Sequence, residues 1–197
     1  MNTSPVSQPT SSAAPARRAV LEGVPRIGFG VRLCPFPGAI ESVMKYLKEP
    51  ADYDWIMGVT GACFRRTFNR DDGGNVDLLY FSPEPQRRIF QALGYELRTV
   101  SWSDKQGMVQ AIKQSIDAGR PAIACGVIGP PEAGLVTGYD HDGQTLIGYS
   151  YFQDRRKFPG YYEQPDWYER YRNQQPGPDA DLGSDADAVG VMVLGQR

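Results

Sequence analysis

One stretch, residues 121–154, constrains the fold more than any other part of the chain. Its sequence, PAIACGVIGPPEAGLVTGYDHDGQTLIGYSYFQD, holds three runs of apolar or β-favouring residues at 122–127, 133–139 and 145–151. The second connection contains Asp-Gly, a strong hairpin signal because glycine readily adopts a positive φ. An antiparallel meander is therefore predicted. The runs are almost continuously apolar, so we expect both faces of this sheet to be covered.

A helix is predicted before the meander, and it begins beside a cysteine. Apolar residues recur at i, i+3, i+4 and i+7 from residue 40 to residue 47, which is the spacing of one buried helical face. Prolines 35 and 37 lie where such a helix would start, and Pro50 lies beyond its end. The pattern predicts a helix over 37–48, with Cys34 at its amino end and the sheet against its apolar face.

The other regular elements have weaker signals. Capping residues, glycine stops and apolar spacing predict a helical turn at 52–57, a strand at 78–81, a helix at 84–93, a strand at 95–100, a helix at 103–118 and a last strand near 188–194. Several helices followed by an antiparallel meander indicate the α+β class.

Length and composition indicate one folded domain. The chain has 197 residues, of which 41% are hydrophobic, and this suffices for one good-sized core. Residues 1–19 are rich in Ser, Thr, Pro and Ala and have little to bury, so we expect a disordered tail there. The domain is predicted over 20–197. Its aromatic-rich segment, at about 151–175, would either floor a ligand pocket or seal the sheet.

Charge and hydropathy exclude two classes of partner. The net charge of −2 gives no basic surface for tracking phosphates, so we expect no nucleic-acid partner. No run of 18 apolar residues is present, and the amino-terminal residues lack an apolar signal-peptide core. We therefore expect no membrane association and no export by an ordinary signal peptide.

Cysteine usage and motif spacing bear on compartment and cofactors. Three cysteines without a C-x-x-C pair do not form a disulfide framework, which favours a reducing, cytoplasmic location. The acidic run PDADLGSDADA lacks the spacing and the distal glutamate of a calcium loop. The Gly-Phe-Gly at residues 28–30 lacks the further glycine of a nucleotide motif. We expect no cofactor and no metal.

The order of elements, and several short motifs, resemble the papain-like cysteine peptidase superfamily. CPFP leading into a helix, DAGRPAIA, and LVTGYD followed by LIGYS resemble the bacteriocin-processing, double-glycine leader peptidases. GVTGACFR, LIGYSYFQD and YYEQPDWYE are similar to the N-terminal domain of butirosin-biosynthesis protein H, from an acyltransferase-related group. The resemblance spans residues 23–195. It implies a papain-like fold in which Cys34, on the N-terminal helix, is the nucleophile and the antiparallel sheet supplies its base.

Only part of the family's catalytic set is present. Cys34 has the expected position, where a helix dipole favours the thiolate. The resemblance places the family's histidine at the position of Glu132, and the amide that stabilises the oxyanion at the position of Gly28. The group that orients the histidine would come from Tyr149 or Ser150, or from Asp154 further on. No complete triad is predicted.

Each candidate residue also has a plainer interpretation. His141, the only histidine, lies in the predicted hairpin turn, where a solvated side chain is expected more than a base. Cys34 could line the site, act as nucleophile, or be a structural thiol. Cys63 and Cys125 are predicted to be core residues. Glu132 could be a general base, a ligand anchor or a solvated carboxylate at a strand start.

Three functions remain open from the sequence. The first is a domain with a degenerate site that binds or modifies a small molecule, or a peptidyl or acyl group, in a cleft at Cys34. The second is an active thiol acyltransferase or peptidase with Cys34 as nucleophile and a non-standard base such as Glu132. The third is a non-catalytic interaction module. In the first two, the partner is a small-molecule or peptide ligand, and Cys34 and Glu132 face one another across the cleft.

Overall fold

The structure, a computed structural model, belongs to the α+β class. The residues that it describes are 16–28, 30–64, 84–128, 132–153, 162–165, 167 and 189–197. Within them, the helices are α1 (Pro35–Tyr46), α2 (Tyr53–Thr60), α3 (Glu84–Leu93) and α4 (Lys105–Asp117). The strands are β1 (Ala19–Val20), β2 (Leu97–Ser101), β3 (Ala122–Cys125), β4 (Ala133–Asp140), β5 (Thr145–Tyr149), β6 (Tyr162–Pro165) and β7 (Val189–Leu194).

Helix α1 confirms the predicted helix beside Cys34. Cys34 is its N-cap, with an extended backbone at φ −94° and ψ 119°. Pro35 is the first helical residue, where proline costs nothing because the N–H that it lacks would have no partner inside the helix. Every residue from Pro35 to Met44 is buried. The helix therefore starts two residues before the predicted boundary and forms part of the core.

The other helices follow their capping signals. Asp52 accepts a 2.8 Å hydrogen bond from the N–H of Trp55, and α2 continues beyond the predicted turn. The bounds of α3 agree with the prediction. Asp104 caps α4 by accepting a 2.8 Å hydrogen bond from the N–H of Gly107. The strand predicted at 78–81 lies outside the described residues.

All the strands join one antiparallel sheet in the order β2-β7-β3-β4-β5-β6. Strand β1 pairs with β4 beyond the end of β3. The last strand was predicted, but its interior position between β2 and β3 was not. Strand β6, which pairs with β5, was not predicted at all.

Strands β3, β4 and β5 form the predicted meander. Cys125 in β3 pairs with Ala133 in β4, and Leu135 in β4 pairs with Tyr149 in β5. All of β3 and all of β4 except Asp140 are buried. Because neighbouring residues of a strand point to opposite faces, this burial confirms that both faces of the sheet are covered. Helix α1 packs on β3 and β4, and α4 packs on β7, β4 and β2.

The β4–β5 connection is the predicted tight turn. Residues His141, Asp142 and Gly143 all have a positive φ, and the +97° of Gly143 is a value that side chains disfavour. The start of the described chain is tied to the same end of the sheet. Arg17 pairs with Asp117 at 2.9 Å, and Arg18 pairs with Asp140 at 2.7 Å.

None of the helices in the described part of the chain combines the length and apolar character that a bilayer crossing requires.

Candidate functional site

The predicted site residues converge at one end of the sheet. The antiparallel pairing of Cys125 with Ala133, and of Leu135 with Tyr149, places the end of β3, the start of β4 and the end of β5 side by side. Tyr151 follows β5 and reaches Cys34 from there. We call this end of the sheet the thiol end.

Two tyrosine hydroxyls hold the main chain of Cys34. Its N–H donates a hydrogen bond to Tyr53 Oη at 3.0 Å, and its carbonyl accepts one from Tyr151 Oη at 3.4 Å. Tyr53 is the first residue of α2, and Tyr151 lies two residues beyond β5. The residue that caps α1 is therefore fixed by a neighbouring helix and by the sheet. Its side chain is half-buried.

Both hydroxyls stay protonated at neutral pH. Burial raises the pKa of Tyr151, and the Tyr53 and Cys34 side chains raise it further when they are ionised. Burial also raises the pKa of Tyr53, and this outweighs the hydrogen bond that Tyr53 accepts from Cys34. The hydrogen bonds to the main chain of Cys34 place two protonated O–H groups beside the residue that carries the thiol.

The position of Tyr151 depends on a glycine in α1. Gly38 is buried in the first turns of the helix, and a Cβ built on it would overlap the Tyr151 hydroxyl. The absence of that carbon lets the ring approach the helix closely enough to reach the carbonyl of Cys34. The glycine is therefore a packing requirement of the site.

A buried carboxylate with two cationic partners lies further along α1. Glu41, on α1, is bound in a bidentate fashion by Arg32, with both nitrogen–oxygen distances 2.9 Å, and by Lys45 Nζ at 2.7 Å. Burial raises the pKa of Glu41, but the hydrogen bonds from Arg32 and Lys45 together lower it below its ordinary value. The Arg32 guanidinium also lies 4.9 Å from the centre of the Tyr53 ring. This cluster fixes the loop that leads into Cys34.

The amino end of α1 is suited to a thiolate. The helix has 12 residues and no acidic residue in its first turn, so its own sequence does not oppose the positive end of its dipole. A thiol in this position gains thiolate character, and the thiolate is the nucleophilic form of cysteine.

Glu132 lies at the thiol end, as the sequence predicted. It directly precedes β4 and is half-buried, and its carbonyl accepts a 3.0 Å hydrogen bond from the N–H of Gly126. The register places it level with the residues that follow β5. The structure thus brings Cys34 and Glu132 to the same end of the sheet. Direct contact between their side chains stays a prediction.

Gly28, to which the sequence resemblance assigned the place of an oxyanion amide, forms part of a turn. Gly28 is buried with φ +141°, and its carbonyl accepts hydrogen bonds from the N–H groups of Val31 at 2.9 Å and Arg32 at 3.3 Å. Its backbone therefore shapes the loop before Cys34, and a glycine has no side-chain donor to offer.

The end of β5 contributes Ser150, which was among the predicted residues, and Gln153, which was not. Ser150 is buried and donates to the carbonyl of Ile128 at 3.1 Å, which ties the β3–β4 connection to the end of β5. Gln153 is also buried, and its Oε1 accepts a 3.0 Å hydrogen bond from the N–H of Ser150. Sequence reasoning missed Gln153. Asp154 lies outside the described residues.

His141 lies at the other end of the sheet. Its side chain is 64% exposed in the turn after β4. The five residues of β5 separate this turn from the thiol end, a length of roughly 16 Å at about 3.3 Å per residue. The predicted solvated turn histidine is confirmed.

The other two cysteines have different surroundings. Cys125 is buried in β3, as predicted. Cys63 is exposed, so its prediction as a core residue was wrong. It lies in the 3-10 turn Ala62–Phe64, which contains no buried residue. The apolar residues around Cys63 in the sequence suggested burial, but the chain leaves the core where α2 ends. None of the three cysteines forms a disulfide.

Several site residues were not found from the sequence. Tyr53 had no signal, because its role depends on how α2 packs beside Cys34. Tyr151 was included only in the aromatic-rich segment, where Tyr162 and Trp167 are buried, as bulk packing would require. The Glu41–Lys45 ion pair could have been predicted from the sequence, since the two residues are four apart on a predicted helix.

Two surface depressions in the described part of the chain lie away from Cys34. One, of 350 Å³, is bounded by the carboxyl half of α4 and by residues of β2 and β7. The other, of 580 Å³, follows the exposed side of α4. Within the described ranges, no group of three His, Cys, Asp or Glu residues could hold a metal ion.

No protein-family description, curated protein or solved structure matches this chain.

Proposed function

We propose that this chain is a papain-like thiol domain whose site at Cys34 binds or modifies a small molecule, or a peptidyl or acyl group, without a histidine base. The observation that carries the proposal is the position of Cys34. It is half-buried at the N-cap of α1, and tyrosine hydroxyls hold its N–H and its carbonyl.

Two features support chemistry other than ordinary proteolysis. The only histidine of the sequence is exposed in the turn at the opposite end of the sheet. Gly28 stands where the resemblance expects an amide side chain to stabilise the oxyanion, and a glycine has no such group. A general base typically contributes about 10²- to 10⁴-fold in rate, so a thiol without one is suited to activated acyl groups or to binding.

An active acyltransferase or peptidase is the second candidate, and the position of Glu132 favours it. A carboxylate at the thiol end could take the proton of Cys34 as sulfur attacks a carbonyl carbon. The attack would form a thioester and release the leaving group, which would then receive the proton. Burial would have to raise the basicity of Glu132 for this role.

Stepwise thiol labelling tests the proposal, and the chain contains its own comparators. Iodoacetamide and p-nitrophenyl acetate are applied to the folded protein at several pH values, and modification is assigned by peptide mass. We expect Cys34 to be alkylated and acetylated in the folded state. The buried Cys125 should react only after unfolding, and the exposed Cys63 reports the behaviour of an ordinary surface thiol.

The opposite result is equally clear. If Cys34 reacts only when Cys125 does, it is a structural thiol and the proposal is wrong. If His141→Ala abolishes acetylation of Cys34 in a folded protein, the site has a histidine base after all.

We also propose a cytoplasmic location. Three cysteines that form no disulfide, one of them exposed, suit a compartment that keeps thiols reduced.

A further inference from the structure

Strand β2 lies at one edge of the sheet and directs main-chain groups away from it. It pairs with β7 on one side, and no strand of the described chain pairs with its other side. The N–H of Glu96 donates to the carbonyl of Gln196 at 2.9 Å, and its carbonyl accepts from the N–H of Gly195 at 2.8 Å. Successive residues of a strand direct these groups to opposite sides, so those of Leu97 and Thr99 point to the open edge.

The two residues on either side of Leu97 carry opposite charges. Glu96 and Arg98 are both exposed. Both line the 350 Å³ depression beside α4, so their side chains lie on the same face of the sheet. Neither makes an ion pair with another residue of the described ranges. Charges on an edge strand usually discourage pairing with other chains, unless the partner strand presents the opposite charges in register.

A second copy of this chain presents such a strand. In an antiparallel pair of β2 strands related by a twofold axis at Leu97, Glu96 of each copy lies opposite Arg98 of the other. Directly opposite residues have Cβ atoms about 4.5–5.5 Å apart, which is within reach of an ion pair. Leu97 lies opposite its own copy, and its outward main-chain groups can exchange both hydrogen bonds of that pair.

The charges also select this register over its neighbour. The next outward-facing residue on which a twofold axis could lie is Thr99. That axis would place Arg98 opposite Val100 and leave the guanidinium without a carboxylate. Register in a sheet is specified by which side chains are brought together, and only the axis at Leu97 matches both charges at once.

We propose that β2 is the interaction surface of a homodimer, in which the sheets of two copies join edge to edge through an antiparallel β2 pair centred on Leu97. The same surface is used by both copies, so the assembly closes at two chains. An edge of five residues buries little area, and we expect a reversible dimer that depends on protein concentration. The inference is independent of the proposed function, because it uses no residue of the thiol end.

Sedimentation velocity of the full chain at increasing concentration tests the dimer. The weight-average mass should rise from that of one chain towards that of two. Glu96→Lys places like charges opposite one another in both cross-strand pairs, and Arg98→Glu does the same with the other sign. Each substitution should raise the dimer dissociation constant by about tenfold or more, because two attractive cross-strand pairs become repulsive.

Two combinations of these variants distinguish pairing from a general effect of charge. The double variant Glu96→Lys/Arg98→Glu exchanges the signs within one chain and should dimerise as the wild type does. An equal mixture of the two single variants should form a heterodimer, because every opposing pair in it again has opposite signs. Glu84→Lys, an exposed charge reversal at the start of α3, is the control and should leave dimerisation unchanged. Unchanged urea midpoints would show that each variant is folded.

Three results would overturn the inference. A wild-type chain that stays monomeric at the highest concentration does not use its β2 edge for a second copy. Single variants that dimerise as well as the wild type would place the interface elsewhere. A dimer that the single variants lose, but that neither the double variant nor the mixture restores, would contradict the register centred on Leu97.

Discussion

The phenolic hydroxyl of Tyr151 donates a hydrogen bond to the main-chain carbonyl of Cys34, at an oxygen–oxygen distance of 3.4 Å. This contact joins the end of β5 to the start of α1, and it exists only because Gly38 leaves room for the ring. The geometry of the thiol end therefore depends on a residue with no side chain as much as on the residues that have one.

Gly38→Ala should destabilise the protein, although alanine is the better helix former by about 1 kcal/mol. The added Cβ would overlap the Tyr151 hydroxyl, and such overpacking typically costs about 1–3 kcal/mol. In a Tyr151→Phe background the hydroxyl is gone, so the same substitution should be neutral or stabilising. Urea unfolding of the two single variants and the double variant measures this coupling. Additive effects would show that the two residues do not compete for space.

Glu41→Gln should destabilise the protein by about 1–3 kcal/mol near neutral pH, because it weakens the charge-assisted hydrogen bonds from Arg32 and Lys45. The pKa of Glu41 is lowered in the folded state, so folding favours its ionised form. This stabilisation is complete above the unfolded pKa of about 4.3 and is lost as the pH falls through the lower folded pKa.

The measurement for Glu41 is urea unfolding of wild type and Glu41→Gln at pH 7 and pH 3. The difference between the two proteins should be smaller at pH 3. An exposed carboxylate such as Glu84, which pairs with Arg87 at 3.4 Å on α3, provides the control. Its glutamine variant should cost less than about 1 kcal/mol. A pH-independent difference for Glu41→Gln would contradict the role of its charge.

Glu132→Gln should make Cys34 react faster with iodoacetamide near neutral pH. A carboxylate that faces the thiol opposes the thiolate, and a helix-end contribution of roughly 0.3–1 kcal/mol is too small to overcome a close charge of the same sign. Glu132→His should be faster still, because it introduces an imidazole partner. Unchanged rates in both folded variants would mean that the two residues do not share a site.

His141→Ala should leave the alkylation of Cys34 unchanged across neutral pH. The imidazole is exposed in the turn after β4, and the length of β5 separates it from the thiol end. Loss of a true general base would slow an acyl-transfer step by about 10²- to 10⁴-fold. A decrease of that size in p-nitrophenyl acetate turnover, with the fold intact, would show that His141 acts as the base.

Local signals explain what could be predicted. Helix α1 was predicted because its prolines and apolar spacing lie within one short stretch, and the meander because Asp-Gly fixes a tight turn. Cys34 as a helix cap and Glu132 at a strand start follow from these two elements. Antiparallel order places Glu132 beside the end of β5, and the hydrogen bond from Tyr151 brings Cys34 to the same end. The two elements that carry Cys34 and Glu132 could therefore be predicted from the sequence.

Contacts between distant segments explain what could not be predicted. Tyr53 meets Cys34 only because α2 packs beside the start of α1, and no spacing rule connects the two residues. Gln153 becomes buried through the turn that follows β5. Cys63 was misassigned because apolar neighbours in the sequence cannot show that the chain has left the core.

The position of β7 has a consequence for how the molecule is assembled in time. The strand lies between β2 and β3, so these two are not joined until β7, made after both of them, inserts between them. During synthesis on the ribosome, α1 and the meander emerge before β7. Until β7 has been made, the edges of β2 and β3 that it pairs with have no partner strand. Open edges of this kind pair readily with other chains. A nascent chain interrupted before β7 should therefore have its thiol helix in place but be prone to aggregate, and it would depend on chaperones more than its modest size suggests.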